Sequence, residues 1–187
     1  MKSLRDDIKE IFLTEEQIQK RVKEIAQDLS VRYADKNPLV ICVLKGGAMF
    51  MMDIVKNMDI PLDIDFMAVS SYFGKESQGV VKILKDLDAS ITARDIIIVE
   101  DILDTGLTLD YLIGLLKCRN PKSICVCALL VKEKDDPRTQ IKNYTIDYEG
   151  FTIRDEFVVG YGLDYNQAYR NLPYIGVLKE EIYTRHE

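Results

Sequence analysis

Three short stretches with an unbroken apolar centre constrain this chain most: LVICVL at 39–44, DIIIVED at 95–101 around IIIV, and SICVCALLVK at 123–132. A strand that is apolar on both faces must be covered on both, as in parallel sheets with helices above and below. The segments between the runs supply helices. Thr14 and Gln17 form a capping box, and Ile18, Val22, Ile25 and Leu29 follow at helical spacing, which predicts a helix over 14–34 that Asn37-Pro38 breaks. AMFMMDIVKNM (48–58) reads as a helix with a methionine-rich core face. LTLDYLIGLLKC (107–118) reads as another, with Leu109, Leu112, Ile113 and Leu116 inward. Residues 62–69 and VVKILKDL (80–87) add strand patterns around a polar loop, SSYFGKESQG (70–79), and EFVVGYG (156–162) adds a short strand. The expectation is an α/β protein with a mostly parallel central sheet flanked by helices. Ligands of such sheets bind outside the carboxyl ends of the strands, here after residues 44, 99 and 131.

Composition narrows the chemistry. At 187 residues the simplest organisation is one domain. The formal net charge of −6 speaks against nucleic acid and membrane surfaces as partners. The single histidine, His186, stands next to the C-terminus, so zinc–histidine sites and histidine-based triads are disfavoured. Cys42, Cys118, Cys125 and Cys127 lack C-x-x-C spacing and read as buried free thiols. No signal-peptide core and no membrane-length apolar run is visible, which gives a cytoplasmic expectation.

VEDILDTGLT (99–108) follows an apolar strand and precedes a helix. A tight loop at a helix N-terminus turns backbone N–H groups toward an anion, and Thr105 and Thr108 add hydroxyls around Gly106. The spacing is neither that of the Walker A loop nor that of the dinucleotide fingerprint. Glu100 and Asp101 would repel a phosphate, so they face hydroxyl groups or a divalent metal. Phosphate, polyol and metal together describe a phosphorylated sugar.

The stretch from Ile96 to Thr108 resembles the phosphoribosyl-diphosphate (PRPP) motif of type I phosphoribosyltransferases. Further segments are similar to the hypoxanthine-guanine members of that family over roughly residues 10–180. The resemblance implies one domain over 1–187, with a core of about 36–155 and a small hood from about 1–35 and 156–187. It implies a 5′-phosphate and ribose site at Glu100, Asp101, Asp104, Thr105, Gly106, Leu107 and Thr108, with Asp104 as proton acceptor for purine N7. Lys45 and Gly46 in VLKGG resemble the pyrophosphate loop, whose main chain often carries a non-proline cis peptide, and Arg170 matches a pyrophosphate-binding arginine. Ser71 and Tyr72 open a segment similar to the mobile lid, from which Phe73 before Gly74 departs somewhat. Lys132 would donate to the exocyclic oxygen of a 6-oxopurine, Phe157 would stack on the base, and the Val158 main chain would meet the purine edge. Asp164 would join a metal shell through water, and the metal would be Mg²⁺ held by Glu100, Asp101 and Asp164.

The implied reaction is transfer of the phosphoribosyl group of PRPP to hypoxanthine or guanine, giving IMP or GMP and pyrophosphate, by a homodimer or homotetramer. Alternatives within catalysis are xanthine, pyrimidine or orotate transfer. Outside it stands a PRPP- or nucleotide-sensing regulator of the same fold, which should carry a nucleic-acid-binding domain or a basic face.

Overall fold

The three apolar runs lie side by side at the centre of a six-stranded sheet. The structure, a computed structural model, describes residues 3–72, 80–133 and 144–184. In chain order its strands are β1 (Ile8–Leu13), β2 (Leu39–Leu44), β3 (Asp63–Tyr72), β4 (Val80–Lys85), β5 (Asp95–Leu103), β6 (Ser123–Lys132), β7 (Tyr148–Ile153), β8 (Val158–Val159) and β9 (Ile175–Leu178). Its helices are α1 (Glu15–Arg32), α2 (Ala48–Asn57), α3 (Leu107–Lys117) and α4 (Glu180–Tyr183). The large sheet has the order β4-β3-β2-β5-β6-β7, parallel throughout except for the antiparallel β3–β4 pair.

Alternation along the central strands divides the core in two. Val40, Cys42, Ile97, Val99, Cys125, Cys127 and Leu129 face one side with Ile18, Val22, Ile25 and Leu29 of α1 and Phe50, Met51 and Ile54 of α2. Leu39, Ile41, Val43, Ile96, Ile98, Val126 and Ala128 face the other, covered by Leu109, Leu112, Ile113 and Leu116 of α3. Both faces are dry, as the unbroken apolar runs require. α1 begins with the expected capping box: the Thr14 and Gln17 side chains each accept the other residue's backbone N–H.

A second, antiparallel sheet of order β1-β9-β8 joins the two ends of the chain. A small core of Val159, Tyr169, Leu172, Tyr174 and Leu178 lies within it. Together the two sheets give the expected architecture, a mostly parallel sheet flanked by helices with a hood from the terminal segments.

Several boundaries differ from the sequence reading. β5 runs on to Leu103, so Glu100 and Asp101 belong to the strand instead of following it. β3 continues through Ser70–Tyr72, which were expected to open a loop; the rest of that loop, 73–79, lies outside the described residues. The strand expected over 156–162 is cut to two residues because Gly160, Tyr161 and Gly162 all turn to positive φ (102°, 49° and 103°). Cys42, Cys125 and Cys127 are buried free thiols, but Cys118 is exposed, since α3 has ended there. β1, β7 and β9 carry no period-2 pattern strong enough to be read beforehand. Among the described residues no helix is long and apolar enough to cross a membrane.

Candidate active site

The sheet order itself marks a place for a ligand. From β2 the chain moves through α2 to β3 on one side, whereas β5, on the other side of β2, leads through α3 to β6. α2 and α3 therefore leave the sheet on opposite faces, and a crevice opens between the carboxyl ends of β2 and β5. Into it lead the loop 45–47 after β2 and the loop 104–106 after β5.

The loop after β5 is built as an anion cradle. Gly106 takes a left-handed conformation (φ 73°), which a side chain would resist, and caps α3 with no side-chain bond of its own. The first intrahelical bond is Asp110 N–H to Gly106 C=O at 2.9 Å, so the N–H groups before it project from the helix start. The Leu107 N–H is only loosely engaged by Thr105 Oγ1, at 3.4 Å. Tyr144 Oη donates to the Gly106 carbonyl at 3.4 Å and braces the turn.

The two acids are neighbours near the end of β5, and the Asp101 side chain lies against Gly46 of the loop after β2. Glu100 is buried, 7% exposed. Burial first, then the charge of Asp101, pushes its carboxyl well above the usual range against a hydrogen bond from the Asp101 N–H. Asp101 is also raised, mainly by burial, although the Ile102 N–H bonds it at 2.7 Å and Arg170 attracts it. Two adjacent carboxyls held against their charged forms are a receptive place for a cation or for hydroxyl donors.

The loop after β2 meets Asp101 directly. The Leu44–Lys45 peptide is cis, and Gly46 is buried so tightly that a Cβ there would overlap Asp101 Oδ2. From the hood side a Cβ at Gly162 would overlap the Gly46 carbonyl oxygen. Glycine at both positions lets two backbones and the Asp101 side chain come together. The same contact region holds Arg170, whose guanidinium donates to Gly162 C=O at 2.7 Å and pairs with Asp164 at 2.7 Å. Asp164 also accepts the Gln167 N–H at 2.8 Å, and Lys45 Nζ reaches Gln167 Oε1 at 3.1 Å. Tyr161 Oη donates to Asp53 on α2 at 2.7 Å and ties this turn to the core.

Next to this lies a cleft of about 260 Å³ lined by Asp101, Ile102, Asp104, Lys132, Glu156, Phe157, Val158, Leu163 and Asp164. Lys132, at the end of β6, is mostly buried and donates to Asp155 at 2.6 Å. Phe157 and the Val158 backbone form the opposing wall. Six of the anticipated residues thus converge in one cleft. Arg170 borders a different cavity, with Met49, Met52 and Tyr161, and pairs with Asp164 of the cleft. Lys45 is exposed at its edge. For Ser71 and Tyr72 the structure gives backbone position alone, at the end of β3. Asp155, Leu163, Glu156, Gln167 and Tyr144 escaped the sequence reading, and only the adjacency of Asp155 and Glu156 to Phe157 could have hinted at two of them.

An open, mostly parallel sheet with an anion cradle, neighbouring acids and a cleft at its switch point defines an α/β protein whose ligand site lies at the carboxyl ends of its strands. A model of the phosphoribosyl transferase domain matches residues 10–166. The hypoxanthine-guanine phosphoribosyltransferase of Bacillus subtilis is 50% identical over 181 residues, 96% of this chain and 98% of that protein. A solved hypoxanthine phosphoribosyltransferase of Staphylococcus aureus superposes with a TM-score of 0.89 at 49% identity, covering 98% of each chain. The bifunctional protein TilS/HprT of Listeria monocytogenes is 48% identical over 97% of this chain, which spans only 28% of that longer protein. The chain belongs to the phosphoribosyltransferase family, in its hypoxanthine-guanine group.

Proposed function

We propose that this protein transfers the 5-phosphoribosyl group of PRPP to hypoxanthine or guanine, releasing pyrophosphate and forming IMP or GMP in purine salvage. The observation that carries the proposal is the placing of Lys132 and Asp104 in one cleft beside the Gly106 cradle. A cation and a carboxylate lining one cleft suit a 6-oxopurine, which presents the C6 carbonyl and, in its N7–H tautomer, the N7 proton side by side on one edge.

The cradle from Thr105 to Thr108 binds the 5′-phosphate, and Glu100 and Asp101 accept hydrogen bonds from the ribose hydroxyls. The Lys45-Gly46 backbone and Arg170 hold the pyrophosphate. Phe157 stacks on the base, the Val158 main chain meets its edge, and Lys132 donates to O6. As the C1–oxygen bond to pyrophosphate breaks, the sugar gains oxocarbenium character, and the purine nitrogen forms the new bond to C1. Asp104 takes the proton from N7, a contribution on the order of 10²–10⁴ in rate. The remainder of the acceleration is positional and electrostatic. Ser71 and Tyr72 would close over the site and keep water from the sugar.

A divalent metal fits these residues. Among the described residues no group of three or more His, Cys, Asp or Glu side chains could hold one alone. Mg²⁺, however, is usually bound through one or two carboxylates, with substrate phosphates and water completing its shell. The raised carboxyls of Glu100 and Asp101, with Asp164 nearby, are such donors. When bound, Mg²⁺ would neutralise charge on the leaving pyrophosphate. The reading carries with it a core of about 36–155 with a hood from both ends, a cytoplasmic location and a homodimer or homotetramer.

Lys132→Ala tests the assignment. It should lower kcat/KM for hypoxanthine about 10²-fold or more, since the O6 acceptor loses a charged donor. Unchanged hypoxanthine use would remove Lys132 from the site.

A further inference from the structure

Phe157 is 39% exposed and stands between two cavities. One is the base cleft; the other, of about 340 Å³, is bounded by Lys9, Asp155, Glu156, Val177, Glu180 and Tyr183 among others. Tyr183 lines only the second. Its ring lies against Phe157 with centroids 4.9 Å apart and planes 19° from parallel. The Tyr165 ring meets Phe157 edge-on, at 5.6 Å and 86°. One face of Phe157 is therefore occupied by the Tyr183 ring, and the Tyr165 ring stands perpendicular to it.

The element that presents Tyr183 is anchored to the same backbone. The Leu178 N–H donates to the Phe157 carbonyl at 2.9 Å, the Lys179 N–H to the Asp7 carbonyl at 3.0 Å, and the Ile182 N–H to the Lys179 carbonyl at 2.9 Å. α4 thus starts two residues after a bond to Phe157 itself. A phenyl ring next to an open cleft can change rotamer or swing about its last torsion. A stacked partner on the far face restricts both motions.

We infer that Tyr183 is a positioning residue of the base site: it backs the Phe157 ring and holds the ring's other face toward the cleft. This rests on the reading of that cleft as the purine site. Tyr183 touches no substrate; it reduces the ordering that Phe157 must undergo when a planar base arrives. The effect falls on the base, because most PRPP residues lie on β5, the start of α3 and the loop after β2, while Arg170 and Asp164 of the hood turn bond to each other and to Gly162.

The test compares Tyr183→Phe, Tyr183→Leu and the unaltered enzyme in steady-state assays with hypoxanthine and PRPP varied in turn. Tyr183→Phe keeps the stack and should retain the KM for hypoxanthine. Tyr183→Leu keeps bulk but loses the ring and should raise that KM about two- to tenfold, the range set by aromatic pair energies. The KM for PRPP should not move. An unchanged hypoxanthine KM in Tyr183→Leu, or equal rises for both substrates, would overturn the inference. Absence of hypoxanthine turnover by the unaltered enzyme would instead overturn the functional reading on which it rests.

Discussion

Gly46 shows how much of the site depends on a missing side chain. It lies against Asp101 on one side and Gly162 on the other, with no room for a methyl group. Gly46→Ala would displace the Asp101 carboxylate or the loop by roughly an ångström, and misplacement on that scale can cost about 10²-fold in rate. A fall of about that size in kcat/KM for PRPP is expected, with the KM for hypoxanthine little changed, measured by steady-state kinetics. At this scale the sequence was informative wherever a motif fixes spacing. Glu100, Asp101, Asp104 and Gly106 follow one another along a strand and its turn, so their proximity is local. The Lys132–Asp155 pair and the Phe157–Tyr183 stack are not local. Each joins residues more than twenty positions apart, and no period or spacing encodes such a meeting.

At the level of elements, apolar pattern decided what could be read. β2, β5 and β6 are buried on both faces and announce themselves as unbroken runs, and α1 declares its start through its cap. Thr14→Ala removes that cap and should destabilise the protein by about 1 kcal/mol, seen as a fall of about 2–4 °C in Tm for a chain of this size. A variant melting with the parent would show that tertiary packing alone fixes the helix start. β1, β7 and β9 were missed because each lies outside the dry centre: β7 is an edge strand, and β1 and β9 pair only with each other and with the short β8. β5 outran its expected end because Glu100 and Asp101 look like loop residues in sequence. Pairing with β6 carries the strand on to Leu103.

Across the whole molecule, acidic residues act in two opposed ways. Asp65 and Asp95 are buried, 7% and 8% exposed. Burial raises each, but hydrogen bonds from Asp88, Phe66 and Lys85 to Asp65, and from Ser123 and Lys122 to Asp95, outweigh it and leave both below the ordinary range. Their stabilisation is present above the unfolded value, about 3.9, and is lost as pH falls through their lower folded values. Glu100 and Asp101 have raised folded values, so their contribution is present at low pH and lost as pH rises through those values. Ligands that neutralise them should therefore stabilise more at pH 8 than at pH 5. Thermal melts with and without Mg²⁺ and PRPP check this, and Glu100→Gln should flatten the difference; a larger gain at pH 5 would contradict it. The general architecture was legible from the apolar runs, whereas the strand order that opens the crevice between β2 and β5 was not, because nothing local says on which side of β2 the next strands settle. At the centre stands the proposal that the cleft lined by Lys132 and Asp104 receives a 6-oxopurine beside bound PRPP. Pyrophosphate release measured in parallel with hypoxanthine, guanine, xanthine, adenine, uracil and orotate, in the presence of PRPP and Mg²⁺, tests it most directly. Release with hypoxanthine and guanine and none with adenine, uracil or orotate is the predicted result; no release with any oxopurine, or turnover of uracil or orotate, would contradict it.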